Sequence, residues 1–184
     1  MKLGIFGPQG SGKSFVAMVL ARSLQRQYPF LHIYTNMNVR GDNITTISDL
    51  AQMPLDLSQP KILIVDEAYF TLDSRNSSSK QNRIWSKVFA FFRKANVVLA
   101  VFITHRPRMI DINIRDQLDY VIMCRKNPTH FDYLIMDMVS HELRPFQIPK
   151  VKEVFDFANY DTYDFPLPIT VESLENHPLF KVAK

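Results

Sequence analysis

Residues 7–14, Gly7-Pro8-Gln9-Gly10-Ser11-Gly12-Lys13-Ser14, constrain this chain more than any other stretch. They complete the pattern G-x-x-x-x-G-K-[ST], whose backbone N–H groups converge on phosphate oxygens at the start of a helix. Four of the five glycines lie within the first twelve residues, so the pattern does not arise from a glycine-rich background. Lys2–Phe6 before it reads as a short buried strand. Ser14–Tyr28 after it reads as a helix, with Val16, Val19, Leu20, Ser23 and Leu24 recurring on one stripe that only the serine interrupts. A tight strand-to-helix turn needs glycine but has no need of Gly-Lys-Ser. Gly7–Phe15 are therefore expected to cradle a nucleotide. Lys13 would reach its β- and γ-phosphates, and the Ser14 hydroxyl would coordinate Mg²⁺.

A matching acidic element follows. Ile62–Val65 is a continuous apolar run, the pattern of a parallel strand buried on both faces, and it ends in Asp66-Glu67. Ligands of open α/β sheets bind at the carboxyl ends of the strands. Asp66 is thus expected to hold Mg²⁺, and Glu67 to polarise the attacking water as a base. The Asp-Glu pair favours ATP hydrolysis with a carboxylate base over a switch GTPase. A further apolar strand, Val97–Ile103, leads to Thr104-His105. A polar residue at that tip can touch the γ-phosphate and report its loss, which makes Thr104 or His105 the candidate sensor.

Strands are also expected at Leu31–Thr35, Asp119–Cys124 and Asp132–Val139, and a second helix at Gln81–Ala95 with Trp85, Val88, Phe89 and Phe92 on one face. Strands alternating with helices indicate an α/β fold with a mainly parallel central sheet flanked by helices. The expected division is a nucleotide-binding domain over residues 1–150 and a C-terminal extended arm over 151–184. The arm carries three prolines and the aromatics Phe155, Phe157, Tyr160, Tyr163 and Phe165. It is expected to pack on its own domain or on a partner subunit.

Composition excludes several classes. One cysteine among 184 residues rules out an intrachain disulfide framework and a cysteine-rich zinc site. The longest strongly apolar run, Val97–Ile103, is far short of the ~20 residues that a membrane helix needs. The net charge of +4 is unevenly spread. Residues 75–126 hold eleven Lys/Arg against three Asp, and the remainder eleven Lys/Arg against fifteen Asp/Glu. A basic middle suits either a polyanion or plain solvation, and non-specific DNA binding is expected there, with Arg75, Lys80, Lys87 and Lys94 foremost.

With these residues in place, the chain resembles the zonula occludens toxin (Zot) family, within the FtsK/HerA group of ring-forming DNA-pumping ATPases. The phosphate loop and Ile62–Glu67 are common to many P-loop ATPases. More specific are Phe92-Arg93, the strand Val97–Thr104, and Pro107-Arg108-Met109-Ile110-Asp111-Ile112-Asn113-Ile114-Arg115. Asn159-Tyr160-Asp161-Thr162-Tyr163 is similar to the short tyrosine motif that follows the family's core. The resemblance spans roughly Met1–Tyr163. It implies a P-loop NTPase of the RecA/ASCE type with ATP and Mg²⁺ as cofactors. It also implies self-association as a ring, DNA as partner, and a viral capsid or membrane-associated assembly protein as a further one. The family's usual sensor is Gln, and the matching position here is His105. Filamentous-phage relatives carry a membrane span after the ATPase region. No such run is seen here, so the expectation is a soluble motor in the host cytoplasm or the virion.

The leading expectation is therefore an oligomeric ATPase that translocates DNA in genome packaging or virion assembly. A small nucleoside or nucleotide kinase is the alternative from another class, and a nucleotide-dependent assembly module without pumping is the third. In the motor reading an arginine from a neighbouring subunit completes the site. Arg93 and Arg115 lead the candidates, ahead of Arg75 and Arg83.

Overall fold

The computed structural model describes residues 1–72, 80–160 and 166–176. Arg75, residues 161–163 of the tyrosine motif and the Lys80 side chain fall outside what is described. Eight strands form one sheet in the order β3-β2-β4-β5-β1-β6-β7-β8. They are β1 (Lys2–Phe6), β2 (His32–Thr35), β3 (Ile44–Thr46), β4 (Lys61–Val65), β5 (Val97–Thr104), β6 (Tyr120–Lys126), β7 (His130–Asp137) and β8 (Leu143–Pro149). Strands β1 to β6 pair in parallel, and β7 and β8 extend the β6 edge as an antiparallel meander.

The central strands are apolar throughout because both their faces are covered. Ile62 and Ile64 of β4 and Val101 and Ile103 of β5 face α1 (Lys13–Gln27), with Phe15, Val16, Ala17, Met18 and Ala21 of that helix buried against them. Leu63, Val65, Ala100 and Phe102 face the other way, onto α2 (Lys80–Phe91). Trp85, Val88, Phe89 and Phe92 are buried there as their shared face requires, and Phe89 stacks on Phe102 at 4.8 Å between ring centroids. The helix stops at Phe91. A turn carries the chain to Asn96, whose left-handed backbone (φ 55°) redirects it into β5.

Four elements depart from the sequence expectation. Ile44–Thr46 adds an edge strand beside β2. Leu143–Pro149 adds another despite two prolines, which an edge strand tolerates because one side of it makes no ladder. Ile112–Arg115 forms α3, started by the Asp111 carboxylate accepting from the Asn113 N–H at 2.9 Å. Within the expected extended arm, Lys152–Ala158 is a helix, α4. Val154, Phe155 and Ala158 turn inward at i, i+1 and i+4 and pack on the α1 layer, which orders the segment as a helix. Beyond it, Ile169, Val171 and Leu174 are fully buried in the α2-side core, so this stretch packs on its own chain. No helix among the described residues is long and apolar enough to cross a membrane.

Candidate active site

Parallel pairing brings the carboxyl ends of β1, β4 and β5 to one edge, and with them the phosphate loop, Asp66-Glu67 and Thr104-His105. The loop is held by close approach. A Cβ on Gly7 would lie 2.6 Å from the Cys124 carbonyl oxygen, at the end of the neighbouring β6. Gly12, at φ 83°, would collide with Tyr133 Oη at 2.6 Å, and that hydroxyl donates to the Gly12 carbonyl at 3.1 Å. Strands β6 and β7 thus brace the loop from outside. The Cys124 thiol beneath it is pushed up to about 12 by burial, against the pull of Lys13, and stays protonated.

Lys13 is only 7% exposed. Its ammonium donates to the Pro8 carbonyl at 3.1 Å and lies 3.5 Å from His105 Nδ1. Among the described residues no carboxylate forms an ion pair with it. A buried cation without a counter-charge is costly, and an arriving anion relieves it. Ser11 Oγ, in the same loop, is buried and unpartnered.

Ser14 Oγ donates to Asp66 Oδ2 at 2.5 Å, and the other Asp66 oxygen accepts the Glu67 N–H at 2.8 Å. Burial raises the Asp66 carboxyl, and the Ser14 hydroxyl, the Glu67 N–H, Lys13 and His105 pull it back. Among the described residues no three His, Cys, Asp or Glu side chains converge as a metal cluster. One hydroxyl touching one carboxylate suits Mg²⁺, which is commonly held by one or two protein oxygens together with substrate phosphates. The residues therefore fit both groups: a loop shaped around phosphate, a cation lacking its anion, and a small oxygen donor set.

Glu67 sits at φ 49°, a left-handed conformation rare for a non-glycine residue and frequent at functional sites. Its Oε1 lies 3.5 Å from His105 Nε2, and its Oε2 is buried without a partner. Burial raises its carboxyl, the Asp66 charge raises it further, and His105 and Lys13 oppose both. His105 therefore stands between Lys13 and Glu67, one ring nitrogen toward each. Thr104 does not join them. It is fully buried, and its hydroxyl donates to Met109 Sδ at 3.8 Å.

A cavity of about 450 Å³ opens in front of the loop, and its wall includes Lys13, Ser14, Asp66, Glu67 and His105. Arg93 and Arg115 are absent from that wall. Arg93 is exposed in the turn before β5, at the opposite end of the sheet. Arg115 is half-buried and lies 3.9 Å from Asp116.

A model of the ATPase family associated with various cellular activities (AAA) matches residues 3–126, which contain every one of these phosphate-end elements. The chain belongs to this AAA family. It is a P-loop ATPase and binds nucleotide. No curated protein matches its sequence. Among solved structures, this AAA ATPase is similar to the N-terminal domain of zonular occludens toxin from Neisseria meningitidis. Identity there is 18% over 87% of this chain and 98% of that one, with a TM-score of 0.61. It is also similar to the genome packaging NTPase B204 from Sulfolobus turreted icosahedral virus 2, in complex with ATP-gammaS. That match has 16% identity over 81% of this chain and 97% of the other, with a TM-score of 0.57. At such identities the likeness is one of fold, and it is the Zot-like fold that the sequence led us to expect.

Several residues of the AAA ATPase's cavity were not singled out by sequence reasoning. Tyr69, Phe131 and Pro166 line it, as does Phe155, which the sequence marked only as one aromatic of the expected arm. Asn36, just past β2, donates to the Asp66 carbonyl at 2.9 Å and accepts the Asp66 N–H at 2.8 Å. The tyrosine motif marked Tyr160 as notable without saying why. The others carry no local signal, because their partners are far away in sequence.

Proposed function

We propose that this AAA ATPase is an oligomeric motor, assembled as a ring, that couples ATP hydrolysis to DNA translocation in viral genome packaging or virion assembly. The observation that carries the reading is the charge on the cavity wall. Among the described residues it holds Lys13 and His105 but no arginine. Charge on a transferring phosphoryl group is commonly met by an added arginine, worth ~10³–10⁵ in rate. With none among the described residues of its own wall, each site takes that arginine from a neighbour, and Arg93 and Arg115 lead the candidates, ahead of Arg75 and Arg83. The first two lie outside the cavity of their own chain, so neither could act except in trans.

The roles at the phosphate end follow. Lys13 exchanges the Pro8 carbonyl and His105 for phosphate oxygens. Ser14 and Asp66 hold Mg²⁺, which when bound neutralises charge on the β- and γ-oxygens. Glu67, its basicity raised by burial and by Asp66, takes the proton of the attacking water. His105 senses the γ-phosphate, since Lys13 cannot serve the phosphate and the imidazole alike. For DNA, Arg83 and Lys87 are exposed along α2, with Lys94 exposed just past it. Similarity to a structure described as a genome packaging NTPase supports this use of the fold.

The deciding experiment mixes two inactive proteins, Lys13→Ala and Arg115→Ala, and repeats the mixture with Arg93→Ala. Shared sites recover turnover, because some interfaces then combine an intact loop with an intact arginine. Full turnover in a monomer, with no recovery from co-assembled mixtures, would defeat the shared site. DNA should stimulate hydrolysis, and its binding should weaken steeply with salt as counterions are released. No DNA affinity at low salt in the ATP-bound assembly would remove the translocation reading and leave an ATPase.

A further inference from the structure

The cavity is lined by two unlike groups of residues. One is polar and charged, with Lys13, Asp66, Glu67 and His105. The other is apolar and largely aromatic, with Met37, Phe131, Phe155, Tyr160 and Pro166. Three of these last five come from beyond residue 150. A triphosphate seated on the loop must send its nucleoside toward the part of the cavity that the charged groups leave free.

The C-terminal part of this wall is firmly built. Phe155 packs at 4.8 Å on Phe15, the residue directly after the loop's Ser14, and at 6.3 Å on Phe131. Asn159 ends α4 in a left-handed turn (φ 45°), with its side-chain amide donating to the Arg40 carbonyl at 3.2 Å. Tyr160 then makes an antiparallel bridge to Val39, beyond β2. Farther on, the Leu167 carbonyl accepts from Asn36 at 2.8 Å. The Thr170 hydroxyl donates to Asp49 at 2.6 Å, and the Ser173 hydroxyl donates to the same carboxylate. Burial, and then the charge of Asp66, push the Tyr160 phenol up to about 12, so it faces the cavity as a neutral ring.

We propose that Phe155 and Tyr160 form the nucleoside-binding wall of the ATP site, making the C-terminal segment part of the nucleotide pocket. This rests on the ATP-binding reading of the phosphate loop. Flat aromatic faces beside an anion cradle stack a base well, and stacking of this kind is tolerant of base identity. The Asn159 cap and the bridge to Val39 hold the Tyr160 backbone before the nucleotide arrives, which lowers the ordering cost of binding.

Calorimetric titration of the full chain with ADP and with inorganic tripolyphosphate, both in Mg²⁺, separates the two ends. Tyr160→Ala should weaken ADP about 10-fold, the worth of one lost stack, and leave tripolyphosphate unchanged. Tyr160→Phe should bind both probes as the wild type does, because the ring remains. Phe155→Leu keeps most of the apolar volume and should show the same split as Tyr160→Ala, which guards against one variant failing to fold. Unchanged ADP affinity in both Tyr160→Ala and Phe155→Leu would overturn the inference. An equal loss of tripolyphosphate would overturn it too, because the residues would then act on the phosphate end. A wild-type chain that binds neither probe would defeat the ATP reading itself.

Discussion

The phosphate end and the nucleoside end of the cavity are built in opposite ways. The phosphate end comes from three strand tips, each read as a short contiguous motif: Gly7–Ser14, Asp66-Glu67 and His105. Its polar atoms touch within that group, as Ser14 touches Asp66 and His105 approaches both Lys13 and Glu67. The nucleoside end comes from Met37 past β2, Phe131 of a hairpin strand, and Phe155, Tyr160 and Pro166 of the C-terminal segment, and Phe131 and Phe155 are held by ring packing. Chemistry at one end needs particular atoms in particular places. The other end needs only an apolar surface of the right shape, which many sequences supply. One side chain ties the two together. Asn36, 6% exposed, grips the Asp66 backbone on both sides and the Leu167 carbonyl as well.

The largest test of this division is at Glu67. Glu67→Gln should keep ATP affinity and lose turnover by ~10²–10⁴, since an amide cannot accept the proton of water. Set beside Tyr160→Ala, it predicts opposite signatures, chemistry lost with binding intact against binding lost for nucleoside only. Wild-type turnover in Glu67→Gln would remove the base from the phosphate end.

A middle-sized effect is expected at the tie. Asn36→Ala deletes three hydrogen bonds, two of them buried, and should destabilise the fold by about 1–3 kcal/mol in denaturant titration. Because it frees the tail as well as Asp66, it should weaken ADP more than tripolyphosphate. An effect confined to Mg²⁺ dependence would mean that Asn36 serves the phosphate end alone.

The smallest effect concerns the anchor of the tail. At Asp49 burial would raise the carboxyl, but hydrogen bonds from Ser173, Thr170 and the Ala51 N–H outweigh that and hold it below the ordinary value. A carboxyl lowered in the folded state adds stability above its unfolded value, about pH 4, and loses it as pH falls through the folded one. The Tm gap between wild type and Asp49→Asn should therefore be open at pH 6 and narrow below pH 4. The same carboxylate is only partly buried, so the gap should be small. A gap independent of pH would show that the anchor does not depend on charge.

Much of the phosphate end was legible because its requirements are local. The loop needs glycine at close approaches, a lysine and a hydroxyl at fixed spacing, and an apolar strand on either side. The central strands β4 and β5 were legible for a related reason, since burial on both faces demands unbroken apolar runs. Strand β8 was not, because Pro145 and Pro149 argue against a strand until its edge position is known. Nor was α4, whose aromatics and neighbouring prolines resemble an extended arm until Phe155 meets Phe15 and Phe131. The choice between Thr104 and His105 was likewise open, because both follow the same strand tip. The pleat separates them, turning Thr104 into the core and leaving His105 at the cavity.

By itself, then, the sequence determined the three phosphate-end motifs, each a short contiguous run, and parallel pairing of β1, β4 and β5 set the distances between them. The tertiary structure alone decided the nucleoside wall and the tie through Asn36. Those contacts join residues 36, 131, 155, 160 and 167, and stacking and backbone hydrogen bonds place no recognisable pattern on positions so far apart.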